Sequence, residues 1–244
     1  MSAIITTDLT KKYGVRTVVD RLSMTIEQGE LFSLLGVNGA GKTTTIKMLC
    51  GLSKPISGDA QLLGDSIVSD PYAVKSKINI SPQETAVAPN LIVAENLETI
   101  ARLYGRSKKE AAEKADEMIR RFGMSDIARD RAKTLSGGWQ RRLSIAMALI
   151  SDPQILFLDE PTLGLDVLAR RELWGVIRSL KGKVTIILTT HYLEEAEALS
   201  DRIAIMAKGR LKAVGTAQEL MAGTHTQKFE DAFVALAAES GVEL

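Results

Sequence analysis

Residues 36–43 read GVNGAGKT and fit the spacing G-x-x-x-x-G-K-[ST]. Glycines at this spacing let backbone N–H groups curl around phosphate oxygens. A lysine then reaches the outer phosphates, and the following hydroxyl helps hold Mg²⁺. The pattern makes Gly36, Asn38, Gly39, Ala40, Gly41, Lys42, Thr43 and Thr44 candidate phosphate-binding residues.

Such a site also needs a carboxylate near the metal and a group that orients an attacking water. ILFLDE (155–160) supplies a pair, with Asp159 suited to the first role and Glu160 to the second. His191 follows the apolar run KVTIILTT and could bond an outer phosphate. On its own it reads more readily as a packed or helix-capping histidine. Gln83, at the end of INISPQE, could meet magnesium or water but is indistinguishable alone from a surface glutamine. Tyr13, in the polar segment KKYGVR, could stack on a base, although packing is the commoner use of such a ring. LSGGWQRRL (135–143) is a second candidate anion site, with Ser136, Gly137 and Gly138 at a helix start. Without context it is an ordinary helix cap. One chain thus carries two anion-binding stretches, about a hundred residues apart.

The elements around these residues must position them. ELFSLLG (30–36) is a short buried strand, and TTTIKMLCGL (43–52) a helix with Gly51 as its C-cap. Strand, glycine loop and helix form the context a phosphate loop requires. SAIITTDL, LSMTIEQ and GDAQLLG alternate as strands in the N-terminal region. From about 84 to 150 the texture turns helical, predicting an inserted helical subdomain. Strands at 154–160 and 183–190 then alternate with helices at 167–180 and 191–199, and 201–215 reads as a hairpin turning at Lys208–Gly209. The expected fold is α/β: a mainly parallel sheet with ligands at strand C-termini, an N-terminal antiparallel β subdomain and the helical insertion. A short amphipathic helix is expected at 228–239.

Bulk composition narrows the function. The chain has 244 residues, 45% hydrophobic and 25% charged, with a net charge of +1. That balance gives no reason to expect nucleic acid as a partner. Cys50 stands alone, so no internal disulfide is possible and a reducing compartment is expected. No run approaches the ~18 apolar residues of a membrane span, so any membrane role must come through a partner. The opening MSAIITTDLT lacks a basic region, and no signal peptide is expected. His225, in a polar segment, receives no role.

In order along the chain stand KKYG (11–14), GVNGAGKTT (36–44), Gln83, LSGG (135–138), ILFLDE (155–160), GLD (164–166) and His191. This series resembles the nucleotide-binding subunit of ATP-binding-cassette (ABC) transporters over nearly the whole chain. The resemblance implies a single ABC ATPase domain over 1–244 that hydrolyses ATP with Mg²⁺. Tyr13 would stack on adenine, Gly36 to Thr44 would cradle phosphates, and Thr43, Gln83 and Asp159 would serve the metal. Glu160 would activate water, with Lys42, Gln83 and His191 completing the catalytic set. Ser136, Gly137 and Gly138 would meet a nucleotide held mainly by a second copy, and Asp166 would link the two sites. The partners implied are that second copy, in a head-to-tail homodimer, and an integral membrane permease. The chain would then lie peripherally on the cytoplasmic face of the cell membrane.

Two departures are Trp139, where the family usually has glutamine, and Leu163, where serine is common. Neither removes a charged catalytic group. The tail FEDAFVAL (229–236) resembles subunits that handle drugs, lipids or polysaccharides, often by export. A soluble, non-transport ABC ATPase is the alternative, although such proteins usually carry two cassettes or a long coiled coil.

Overall fold

The structure is a computed structural model and describes residues 1–238. Twelve-residue strands β1 (Ser2–Tyr13) and β2 (Arg16–Glu27) open the chain as an antiparallel hairpin. Tyr13 pairs with Arg16, so the turn expected over KKYGVR shrinks to Gly14 and Val15. β3 (Leu31–Leu35) is buried throughout, and α1 (Lys42–Leu49) follows it. The cap of α1 falls on Cys50, one residue before the expected Gly51. Gly51 and Leu52 donate back to Met48 and Lys47, which satisfies the carbonyls of the last turn.

β4 (Ser57–Leu62) and the two-residue β5 (Asp65–Ser66) complete a four-stranded sheet in the order β2-β1-β4-β5. α2 (Pro71–Lys77), which the sequence analysis did not anticipate, starts at an Asp70 cap with proline in its first turn. It leads into β6 (Ile78–Ser81). The helical stretch holds α3 (Val93–Leu103), α4 (Lys108–Arg121) and α5 (Gly137–Leu149). Ser107 caps α4 in a reciprocal box with Glu110.

The α/β alternation resumes with β7 (Ile155–Asp159), α6 (Val167–Leu180), β8 (Thr185–Thr190) and α7 (Leu193–Leu199). α7 begins two residues later than expected, which leaves His191 in a loop rather than on a helix. β9 (Arg202–Ala207) and β10 (Arg210–Gly215) form the expected hairpin. α8 (Ala217–Gly223), also unanticipated, and α9 (Phe229–Ala238) close the described chain. Of the expected 228–239 helix, Lys228 precedes α9 and Glu239 lies outside the described residues.

The main sheet runs β10-β9-β3-β8-β7-β6, parallel except at β10. Strict alternation along the central strands divides the core. Leu156 and Leu158 of β7 face the cluster formed with α3 to α6. Ile155 and Phe157 face the cluster shared with α1 and the antiparallel sheet. Both faces of the sheet are therefore covered, as parallel sheets require, and only the strand ends remain open to ligands. Among the described residues, no helix is long and apolar enough to cross a membrane.

Candidate active site

The C-terminal ends of β3, β6, β7 and β8 meet at one cleft of about 460 Å³. Its walls bring together Asn38 to Thr44, Gln83, Glu160 and His191, which lie far apart in sequence. Arg16, Val18 and Leu163 also line it. Sequence reasoning had singled out neither Arg16 nor Val18.

The phosphate loop is shaped by close backbone approach. Gly41 has φ +103, and a Cβ there would stand 2.6 Å from the carbonyl oxygen of Val18 on β2. Gly209, in the β9–β10 turn, has φ +77, and its Cβ would fall 2.5 Å from the same carbonyl. Gly209 N–H also donates to Ala40 O (3.1 Å), and Asp20 N–H donates to Gly209 O (2.8 Å). The loop is thus wedged between β2 and a turn near the other end of the chain. Only glycine fits such approaches without strain.

Lys42 is 5% exposed. Its ammonium donates to Gly36 O at 2.7 Å and Val37 O at 3.3 Å, and stands 3.5 Å from Glu160 Oε1. Burial draws its pKa below the ordinary lysine value, against the pull of the Glu160 and Asp159 carboxylates. Asp159 Oδ1 accepts from Thr43 Oγ1 (3.1 Å) and from Thr189 Oγ1 (2.5 Å). A hydroxyl and a carboxylate side by side are hard oxygen donors of the kind Mg²⁺ takes, so the residues present fit that ion.

Glu160 sits just past β7 at φ +45, a left-handed conformation uncommon for a residue with a side chain. Its surroundings hold it there. Its N–H donates to both Thr189 Oγ1 (3.0 Å) and Thr189 O (3.1 Å). Its carbonyl accepts from Arg141 (2.9 Å). Its carboxylate lies 3.0 Å from His191 Nδ1. A carboxylate held between a lysine and a histidine at the mouth of a phosphate loop can accept a proton from a water attacking the terminal phosphate.

Arg141 is a further residue that the motifs do not single out. It is buried on α5, and its guanidinium also donates to Pro82 O and to Gln83 O (2.9 Å). Burial lowers its pKa, and the Asp159, Glu195 and Glu160 carboxylates oppose that. It fixes the Gln83 and Glu160 segments to the helix that begins with LSGG. Helical spacing gives no signal for it, because every residue of α5 from Leu143 to Leu149 is buried.

Other candidates lie away from the cleft. Tyr13 is exposed at the end of β1, where Lys11 Nζ lies 5.2 Å from its ring centre, and it is not among the cleft walls. Gly36 follows β3, and its carbonyl accepts from Lys42 Nζ. Ser136, Gly137 and Gly138 start α5 outside the cleft. Ser136 makes no side-chain cap hydrogen bond. Asp166 caps α6, accepting from Ala169 N–H at 3.0 Å. Trp139, one of the two departures, packs against the helical core with Arg142 stacked 4.6 Å over its ring.

Residues 19–163 match the ABC transporter family. The chain belongs to that family. A daunorubicin resistance ATP-binding protein, DrrA3, of Streptomyces coeruleorubidus is 42% identical over 91% of this chain and 71% of its own. The Nod factor export ATP-binding protein I of Ralstonia nicotianae is 41% identical over 87% of this chain, which spans 67% of that protein. A solved structure of the ATP-binding subunit of an ABC transporter superposes with a TM-score of 0.84 at 29% identity, covering 96% of this chain and 99% of that one. As an ABC transporter subunit, the chain binds and hydrolyses ATP to power transport. These relatives carry the transport reading rather than the non-transport alternative.

Two outcomes follow from this geometry. Lys42→Ala removes the one ammonium under the cleft, so ATP affinity should fall at least about tenfold and turnover should vanish. Equilibrium titration and phosphate release measure both, and wild-type turnover would overturn the role of Lys42. Arg141→Met leaves one buried and two part-buried carbonyls without this donor. It should cost about 2–4 kcal/mol and lower the thermal midpoint by about 5–10 °C in calorimetry.

Proposed function

We propose that two copies of this ABC transporter ATPase assemble head to tail and drive a membrane permease from the cytoplasmic face. In that reading each phosphate loop faces the partner's LSGG. The supporting observation is a separation: none of Leu135 to Gly138 lines the cleft holding Asn38 to Thr44 of the same chain. The N-terminus of α5 instead offers unpaired amides and the free Ser136 hydroxyl, a combination suited to an anion from elsewhere. A two-fold axis would give each anion-binding stretch its counterpart.

Within one site, the backbone of Gly36 to Thr44 and the Lys42 ammonium would cradle the phosphates. Mg²⁺, held by Thr43, Asp159 and Gln83, would neutralise charge on the outer phosphate oxygens. Glu160 would take the proton of the attacking water, and His191, already bonded to Glu160, would orient that carboxylate and meet the terminal phosphate. Tyr13, paired across the hairpin with Arg16 of the cleft wall, would stack on the adenine. Ser136, Gly137 and Gly138 would close on the partner's nucleotide, and Asp166, at the start of α6, would run along the interface. The cargo would be drugs, lipids or polysaccharides moved by export, a reading supported by the resistance and export proteins above and by the α9 tail.

Glu160→Gln keeps the shape of the site and removes the base. ATP should still bind, hydrolysis should fall at least about a hundredfold, and a dimer should accumulate with ATP and Mg²⁺ in size exclusion. A strictly monomeric Glu160→Gln protein with ATP bound counts against the closed homodimer. A mixed experiment tests the trans arrangement directly. Lys42→Ala and Ser136→Arg chains each make dimers in which both sites are broken. In a mixed dimer both lesions fall in one site and the other is intact, so equal mixing should restore up to about a quarter of wild-type activity. Mixed dimers confirmed by native mass spectrometry, yet no more active than the separate mutants, would sink the arrangement.

A further inference from the structure

The short helix α7 buries one charged side chain completely, that of Glu195, which is 0% exposed. Its Oε1 accepts from the indole N–H of Trp174 on α6 at 3.1 Å, while its Oε2 has no hydrogen-bond partner. Among the described residues, two other buried side-chain polar atoms lack a partner, Thr162 Oγ1 and Arg170 Nε. All three belong to one cage. Thr162, Arg170 and Thr190 each act on the Glu195 carboxyl together with Trp174.

The cage joins two loops. Thr162 lies in the loop from β7 to α6, which also carries Leu163 on the cleft wall. Thr190 ends β8 immediately before His191, and its hydroxyl accepts from Tyr192 N–H at 3.0 Å. Arg170 stacks 4.8 Å over the Tyr192 ring.

We propose that Glu195 is a positioning residue for hydrolysis, holding the loop that bears His191 to the 161–166 loop so that both meet the terminal phosphate in one arrangement. The three partnerless atoms are complementary: a donor on Arg170, a hydroxyl on Thr162 and an acceptor on Glu195. Pairing them requires the 161–166 loop, α6 and α7 to take one relative setting, so the cage couples the two loops. Burial raises the pKa of Glu195, against the Trp174 hydrogen bond, the nearby Thr190 and Thr162 side chains and the charge of Arg170. A glutamine would keep both the shape and the acceptor for Trp174.

The inference rests on the reading that His191 meets the terminal phosphate. The test compares wild type, Glu195→Leu, Glu195→Gln, Trp174→Phe and His191→Ala in the full chain. Steady-state ATP turnover is measured, and calorimetric ADP titration counts the folded sites. Glu195→Leu should bind ADP with wild-type stoichiometry and affinity while kcat per site falls about tenfold or more. Glu195→Gln should recover kcat to within about threefold, and Trp174→Phe, which removes one partner with little loss of packing, should fall between. Wild-type kcat per site in both Glu195→Leu and Trp174→Phe overturns the proposal. So does a loss of kcat matched by an equal loss of ADP sites, which marks a merely structural role. If Glu195→Leu does not fold, Trp174→Phe and Glu195→Gln decide by the same criteria. Wild-type kcat in His191→Ala overturns the His191 reading itself. A drop there, with Glu195→Leu unaffected, overturns only the positioning role.

Discussion

The active site depends on one residue held in an unfavourable backbone conformation. Glu160 leaves β7 with a positive φ, which turns its carboxylate into the cleft instead of continuing the strand. Such a conformation costs roughly 1–3 kcal/mol and persists only where the surroundings over-determine it. Here Thr189 takes its N–H, Arg141 takes its carbonyl, and Lys42 and His191 flank its carboxylate. Each of those groups comes from a different element. The strain is therefore offset by the assembled sheet and helices, and the carboxylate is in place only in the folded protein.

Much of this was legible in the sequence, because the motifs are local. Strand, glycine loop and helix lie in one stretch of chain, as do ILFLDE and LSGG, so their chemistry could be read from spacing. The unbroken apolar run of β7 likewise announced a strand buried on both faces. What could not be read were interactions between distant segments. Arg141 looked like one of two adjacent arginines on a helix, and only its contacts with the distant Pro82, Gln83 and Glu160 carbonyls separate it from Arg142, which pairs at the surface with Glu172. Arg16 reaches the cleft because the β1–β2 hairpin folds over the phosphate loop, a matter of tertiary placement. α2 and α8 escaped notice because both are seven residues long, too short for periodicity to show. His191 was expected on a helix, and its loop setting follows from α7 starting at Leu193.

The family match and the geometry bear on different things. The match places the chain among ABC transporter ATPases. The geometry explains why its parts sit where they do. Asp159 and Thr189 are paired across adjacent parallel strands, so the residue that shares Asp159 with Thr43 arrives by sheet register alone. Two departures from the family pattern fit without disturbing this frame. Trp139 packs beside α5 under Arg142, and Leu163 forms part of the cleft wall.

The wedging of the phosphate loop against Gly209 bears on how the protein is made. The glycine motif is synthesised before the turn that closes behind it, through Gly209 N–H to Ala40 O, which comes more than 160 residues later. A nascent chain on the ribosome carries the whole glycine motif long before the backing strands β9 and β10 exist. Its loop closes only after this late, long-range contact forms, and such contacts are the slow ones in folding. The backing of the phosphate loop therefore requires β9 and β10 as well as the glycine motif.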